Sequence, residues 1–234
     1  MPQDPASVPS LRAAIGEARL KHYLDRYDGR EDLALRLYMW NLELSSAFWG
    51  SLSLLEVTLR NRLQGAFRPY GLQGGWLASH LDRREREALT RAQDDLRRSL
   101  GAEPSDDDLV AGLSLGFWVG LLNAGQPRNR DLNYETVLWR PYLHKAFPNM
   151  PKDSGGYPSR RRAHTLLNGI RVFRNRVAHH EPVWRGRHRE MLDSIVTVAR
   201  YMDADVAAFM EQAQRVDEAL NRQRIAVTDG VCVI

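Results

Sequence analysis

The sequence predicts an all-α protein, and three observations carry that prediction. From Leu44 the apolar residues Leu44, Phe48, Leu52, Leu55, Leu59, Leu63 and Phe67 recur at steps of three and four, the pattern of a helix burying one stripe. Ser105 followed by Asp106, Asp107 and Asp108 is a helix start, because the hydroxyl satisfies free backbone N–H groups and the acids favour the positive end of the dipole. Before the last ten residues, no segment alternates apolar and polar side chains at period two, so no strand competes.

The first nine residues are Pro-rich and expected to be loose; Ser10 then caps a helix to about Tyr27, where Asp28-Gly29 marks a turn. The helix with the long stripe follows and ends at Pro69 and Gly71. A heavily charged helix from about Asp82 to Leu100, closed by Gly101, carries Glu/Arg pairs near helical spacing and reads as a surface or subunit-contacting element. The helix opened by Ser105 continues through Leu113-Ser114-Leu115-Gly116-Phe117-Trp118. A loop with Gly125, Pro127 and Asn129 leads to a helical, aromatic-rich stretch holding Trp139, Tyr142, Leu143 and Phe147. Residues 148–159, PNMPKDSGGYPS, form an exposed loop able to act as a flap. Helix resumes from Ser159 to about Glu181, is stopped by Pro182, and a final amphipathic helix covers roughly Arg187 to Asn221. The apolar, β-prone end is expected to dock or to meet a partner. The organisation is then a flexible start (1–9), one helical domain (10–221) and a C-terminal tail (222–234).

Composition narrows the function. A chain of 234 residues with 43% hydrophobic and 26% charged residues suits a soluble globular protein. No apolar run approaches the roughly 18 to 20 residues that span a bilayer, and MPQDPASVPS offers neither basic leader nor apolar stretch, so the expected location is cytoplasmic, away from membranes. The single cysteine, Cys232, excludes an internal disulfide and a cysteine-based zinc site within one chain. The net charge of +4 is unevenly spread: between Lys152 and Arg189 stand ten Lys/Arg against two acids, a local excess of +8 that leaves −4 for the remainder. Such a segment suits a polyanion, since Arg presents planar bidentate donors to phosphate, and it equally suits a solvated helix face.

The sharpest local signal is Arg174-Asn175-Arg176-Val177-Ala178-His179-His180-Glu181-Pro182. RNRVAHHEP resembles the Abi-like, abortive-infection proteins, and Arg174 followed after four residues by His179 matches the Arg-x(4 to 6)-His motif of the wider HEPN superfamily. Two further stretches share the resemblance in the right order: Leu54-Leu55-Glu56-Val57-Thr58-Leu59-Arg60-Asn61 is similar to an early LEV-x-LRN helix, and Leu113-Ser114-Leu115-Gly116-Phe117-Trp118 to a central LS-x-GFW element. The resemblance implies a HEPN-like helical bundle with additional flanking helices. It implies a homodimeric endoribonuclease needing no metal or cofactor, acting in phage defence or toxin–antitoxin growth arrest, with RNA and an antitoxin or phage-derived trigger as partners. His179 would move protons, Arg174 would hold the phosphate and its growing charge, and Asn175 would orient phosphate or imidazole. His180, Glu56, Arg60 and Asn61 are auxiliary candidates, and Arg160, Arg161, Arg162, Arg171 and Arg176 are candidates for binding RNA.

At about 100° per residue, Asn175 and His179 lie about 40° apart on a helix, whereas Arg174 and His179 lie about 140° apart. Either the helix loosens before Pro182 or Arg and His meet across two subunits. The stripe of this helix reads as Leu166, Ile170, Phe173 and Val177, which points His179 away and leaves His180 on the flank. Other readings stand beside these. His-His-Glu at a helix end can cap free carbonyls; Glu56 and Arg60 at i and i+4 form an ordinary ion pair; Gly116-Phe117-Trp118 is a packing site before it is a base-stacking platform. A metal site fits poorly, because adjacent histidines diverge on a helix. A non-catalytic RNA-binding module, or a protein whose basic face binds an acidic partner, uses the same charges.

Overall fold

The computed structural model describes residues 4–67, 71–72 and 75–233, and among them the fold is all-α: no strand forms, only the isolated bridges Gly125 with Asn133 and Lys152 with Pro158. The first described element is a 3-10 turn, Pro5–Ser7, within the segment expected to be loose; the Asp4 carboxylate accepts from Ala6 N–H at 3.0 Å and pairs with Arg36, and Pro5 is buried. The helix expected after Ser10 is interrupted at Gly16, whose φ of 87° no other residue adopts cheaply, giving α1 (Leu11–Ile15) and α2 (Glu17–Leu24). Next comes α3 (Glu31–Phe67); Pro69 lies outside the described residues, and Gly71, at φ 65°, donates back to the Phe67 carbonyl.

A short α4 (Gly75–His80) precedes α5 (Arg83–Leu100), which Asp82 caps and left-handed Gly101 ends, as the charge pattern predicts. Ser105 and Asp108 form a full capping box on α6 (Asp106–Gly112). That helix does not run on into Phe117-Trp118: Leu113 turns extended, and the Ser114 hydroxyl accepts from Phe117 N–H to start α7 (Leu115–Gly120). The aromatic-rich stretch is a π-helical turn (Glu135–Trp139) and a 3-10 turn (Leu143–Ala146). After α8 (Arg160–Ala178), the single final helix expected from the sequence is three. α9 (His188–Met202) gives way at Asp203, whose carboxylate accepts from Asp205 and Val206 N–H to open α10 (Ala204–Ala213). Gln214 does the same for Val216 and Asp217 ahead of α11 (Val216–Asp229). The β-prone tail is therefore helical to Asp229, and residues 230–233 are non-helical. Their Cys232 is buried, which pushes its thiol up to about 11.

The chain groups into two compact units that interleave in sequence. The first comprises Met1–Leu52, Val172–Asp193 and Met210–Ile234, the second Ser53–Arg171 and Ser194–Phe209. All seven stripe residues of α3 are at most 3% exposed, and each such Leu or Phe stabilises by roughly 1.5–3 kcal/mol. In the first unit Phe48 meets Phe173 edge-on at 4.7 Å, and Trp40 donates its indole N–H to the Ala219 carbonyl at 2.8 Å. In the second, Phe117 and Trp118 are core, as the packing reading expects. A Cβ on Gly116 would meet nothing nearer than Ser114 Oγ at 3.5 Å, so that glycine is not required by a close helix approach. Gly120 is required: a Cβ there would lie 2.5 Å from Glu85 Oε1, a carboxyl whose burial raises its pKa. Trp139 Nε1 donates to the Pro158 carbonyl at 2.8 Å, and so fastens one end of the loop expected to act as a flap. Among the described residues no helix is long and apolar enough to cross a membrane.

Candidate functional site

The Ser159 hydroxyl accepts from Arg162 N–H at 3.3 Å and begins α8. Its buried stripe is Ala163, Leu167, Ile170, Phe173 and Val177; Leu166, expected on that stripe, is half-exposed because the helix is rotated so that its neighbour Leu167 points inward. The helix ends at Ala178, ahead of the expected Glu181. His180 N–H donates to the Val177 carbonyl at 3.1 Å and Glu181 N–H to the Arg176 carbonyl at 2.9 Å, the two bonds of a Schellman ending. The left-handed position of that motif, usually glycine, is His180 at φ 55°. His179 N–H still bonds the Asn175 carbonyl at 2.9 Å, so the helix loosens only after His179.

Four side chains of the first unit hold the backbone that follows. Asn41, wholly buried, accepts from Val183 N–H at 2.7 Å and Trp184 N–H at 3.0 Å through one amide oxygen. His188 lies 2.8 Å by Nε2 from the Val183 carbonyl; a carbonyl only accepts, so Nε2 carries the proton. Arg176 donates to the Pro182 carbonyl, and Arg19 to the His180 carbonyl at 2.9 Å. Every one of these bonds stabilises by about 1 kcal/mol, and together they hold the segment carrying His179 and His180 in one conformation. Tyr23 packs 6.2 Å from the Trp184 ring, and burial pushes its phenol far above the usual range.

Beside this segment lies an open groove of about 490 Å³, lined by Leu42, Ser45, Ser46 and Trp49 of α3 and by Val177, Ala178 and His180. No carboxylate is among those residues. Trp49 is 43% exposed, and the Arg174 guanidinium sits 5.6 Å over its ring. Of the sequence candidates, the structure thus lays Arg174 on the Trp49 ring and puts His180 in the lining of the same groove. His179 is exposed and outside the groove lining, and Asn175 is half-buried on the last full turn. Comparison with family models, curated proteins and solved structures gives no match.

The remaining candidates have other surroundings. Glu56, buried, pairs with Arg60, which also donates to the Ala111 carbonyl at 3.1 Å; with exposed Asn61 they belong to the second unit, and the ordinary ion-pair reading holds there. Arg160 is committed to structure: its side chain is 15% exposed, pairs with Glu135 at 2.9 Å and donates to the Leu122 carbonyl at 2.8 Å. Arg161 is exposed, Arg162 lies 5.8 Å over the Tyr201 ring, and Arg171 bonds Asn168 on its own helix. Arg176 is spent on the Pro182 carbonyl and Glu181. Among the described residues no three His, Cys, Asp or Glu gather in a metal-holding group.

The sequence reading passed over Trp49, Asn41, Arg19 and His188. Two carry a local signal: Asn41 falls on the apolar stripe, four residues after Leu37 and three before Leu44, where a polar side chain needs a buried partner. Trp49 follows stripe residue Phe48 and so faces outward as a large aromatic. Arg19 and His188 carry none, because their partners are distant backbone carbonyls.

Proposed function

We propose that this protein is an Abi-like, HEPN-type endoribonuclease, working in the cytoplasm as a homodimer and cutting RNA through its own 2′-hydroxyl. The observation that carries the reading is a permanent guanidinium, Arg174, laid on a half-open indole at a groove free of carboxylates, five residues before an exposed imidazole, His179. Attack of the 2′-oxygen on phosphorus breaks the bond to the 5′-oxygen and leaves a 2′,3′-cyclic phosphate and a 5′-hydroxyl. The chemistry needs one proton removed from the 2′-hydroxyl, one delivered to the leaving oxygen, and stabilisation of the extra charge on phosphate. His179 moves a proton and Arg174 balances the charge. His180, next in the chain and lining the groove, is a second imidazole available for the other proton. Val172, 48% exposed on α8, is apolar surface that a second copy can cover. Abortive infection or toxin–antitoxin arrest is the biological setting the resemblance implies, with an antitoxin or phage-derived trigger as the controlling partner.

The test is incubation of purified protein with total RNA in excess EDTA, followed by end-group analysis. Cyclic phosphate ends are expected, and Arg174→Ala or His179→Ala lowers the rate by at least about 100-fold while far-UV circular dichroism holds. A folded Arg174→Ala protein that cuts as fast as the parent, or cleavage that needs added divalent metal, overturns the reading. Salt-sensitive RNA binding without products would mark a non-catalytic RNA-binding module instead.

A further inference from the structure

We propose that the groove bounded by Trp49 and His180 takes one unpaired base of single-stranded RNA, with the adjoining phosphate on Arg174. The inference rests on the RNA-directed reading above and adds what the groove selects. Among the tryptophans, Trp40, Trp118 and Trp139 are at most 1% exposed, whereas Trp49 keeps 43% of its surface open. An exposed indole braced by a guanidinium is the arrangement on which unpaired bases stack. The groove volume of about 490 Å³ lies within the usual range for small-molecule pockets, roughly 300 to 1,000 Å³.

Electrostatics decides which part of a nucleotide enters. Val177 and Ala178 bring the C-terminal, negative end of α8 to the groove wall, which repels a phosphate and favours the N–H groups of a base. The Ser45 hydroxyl donates to the Asn41 carbonyl at 2.7 Å, so its oxygen is left to accept from a base edge. The phosphate belongs outside the groove, on the Arg174 cation at the rim.

The experiment compares two uncleavable probes by fluorescence anisotropy: a 2′-O-methyl oligouridylate, and an abasic oligomer with the same backbone and length. Wild type is expected to bind the base-bearing probe about tenfold more tightly. Trp49→Leu removes that difference, and Trp49→Phe, which keeps an aromatic face beside Arg174, retains most of it. Equal affinity of wild type for both probes overturns the proposal, as does a base preference that survives in Trp49→Leu. Conversion of the Trp49→Leu protein from dimer to monomer in sedimentation, with no base preference in wild type, assigns the groove to a second copy and also overturns it. Cleavage of unmodified RNA is scored separately. Base preference without cleavage leaves the groove assignment standing and removes the nuclease, and cleavage without base preference does the reverse.

Discussion

Both ends of α8 carry arginines and use them differently. At its start, Arg160, Arg161 and Arg162 occupy the first turn, where the positive dipole end disfavours cations. Arg160 overcomes this by turning into its unit, to Glu135 and the Leu122 carbonyl. At its finish, Arg174 and Arg176 sit where the dipole favours them; Arg176 fastens the next backbone segment, and Arg174 lies on an exposed ring at an open groove. The difference teaches that a basic run in a sequence is not a uniform surface. Which guanidiniums become struts depends on which carbonyls and carboxylates the fold brings within reach.

The largest stability effect that tests this contrast is at the first end. Arg160→Ala removes the pair with Glu135, which keeps Arg140, and takes the guanidinium donor from the Leu122 carbonyl; it lowers unfolding free energy by about 2 kcal/mol in urea titration, whereas Arg174→Ala lowers it by less than about 1 kcal/mol. Equal losses would erase the distinction between the two ends. Next in size is His180→Gly, which relieves a left-handed histidine and raises stability by about 1 kcal/mol, read as a higher Tm. A lower Tm would show that the imidazole's contacts on the groove hold the helix ending. The smallest effect concerns His164 near the start of α8. Burial first, then Arg160 and Arg171, hold its pKa below the usual imidazole value. The unfolded chain therefore binds the proton more readily, so the stability this residue contributes is full above the usual imidazole value and is lost as pH falls toward the lower folded value. Tm followed from about pH 7 to pH 5 should decline less steeply in His164→Gln than in wild type, and parallel curves would remove His164 as the cause.

Much of the helical organisation was legible because its causes are local. The stripe from Leu44 to Phe67, the Ser105 box and the Gly101 ending each depend on residues within one or two turns. The misread boundaries have local causes as well, though weaker ones: Gly16, Ser114, Asp203 and Gln214 each end a helix by offering backbone or side-chain geometry that competes with continuation. Within the candidate site, Arg174, His179 and His180 stood out as a motif. Trp49 did not, because nothing near it in sequence reveals that a helix 125 residues later lays an arginine across its ring.

By itself the sequence determined the all-α class, the apolar face of α3 and the clustering of cations before Arg189, since periodicity and composition are properties of the chain alone. Tertiary structure decided which cations are struts, which tryptophan stays open, and that His180 takes the left-handed position beside the groove. Those outcomes rest on contacts that periodicity does not encode, from Arg160 with Glu135, 25 positions away, to Asn41 with Val183, 142 positions away, and only a folded chain brings such pairs within bonding distance.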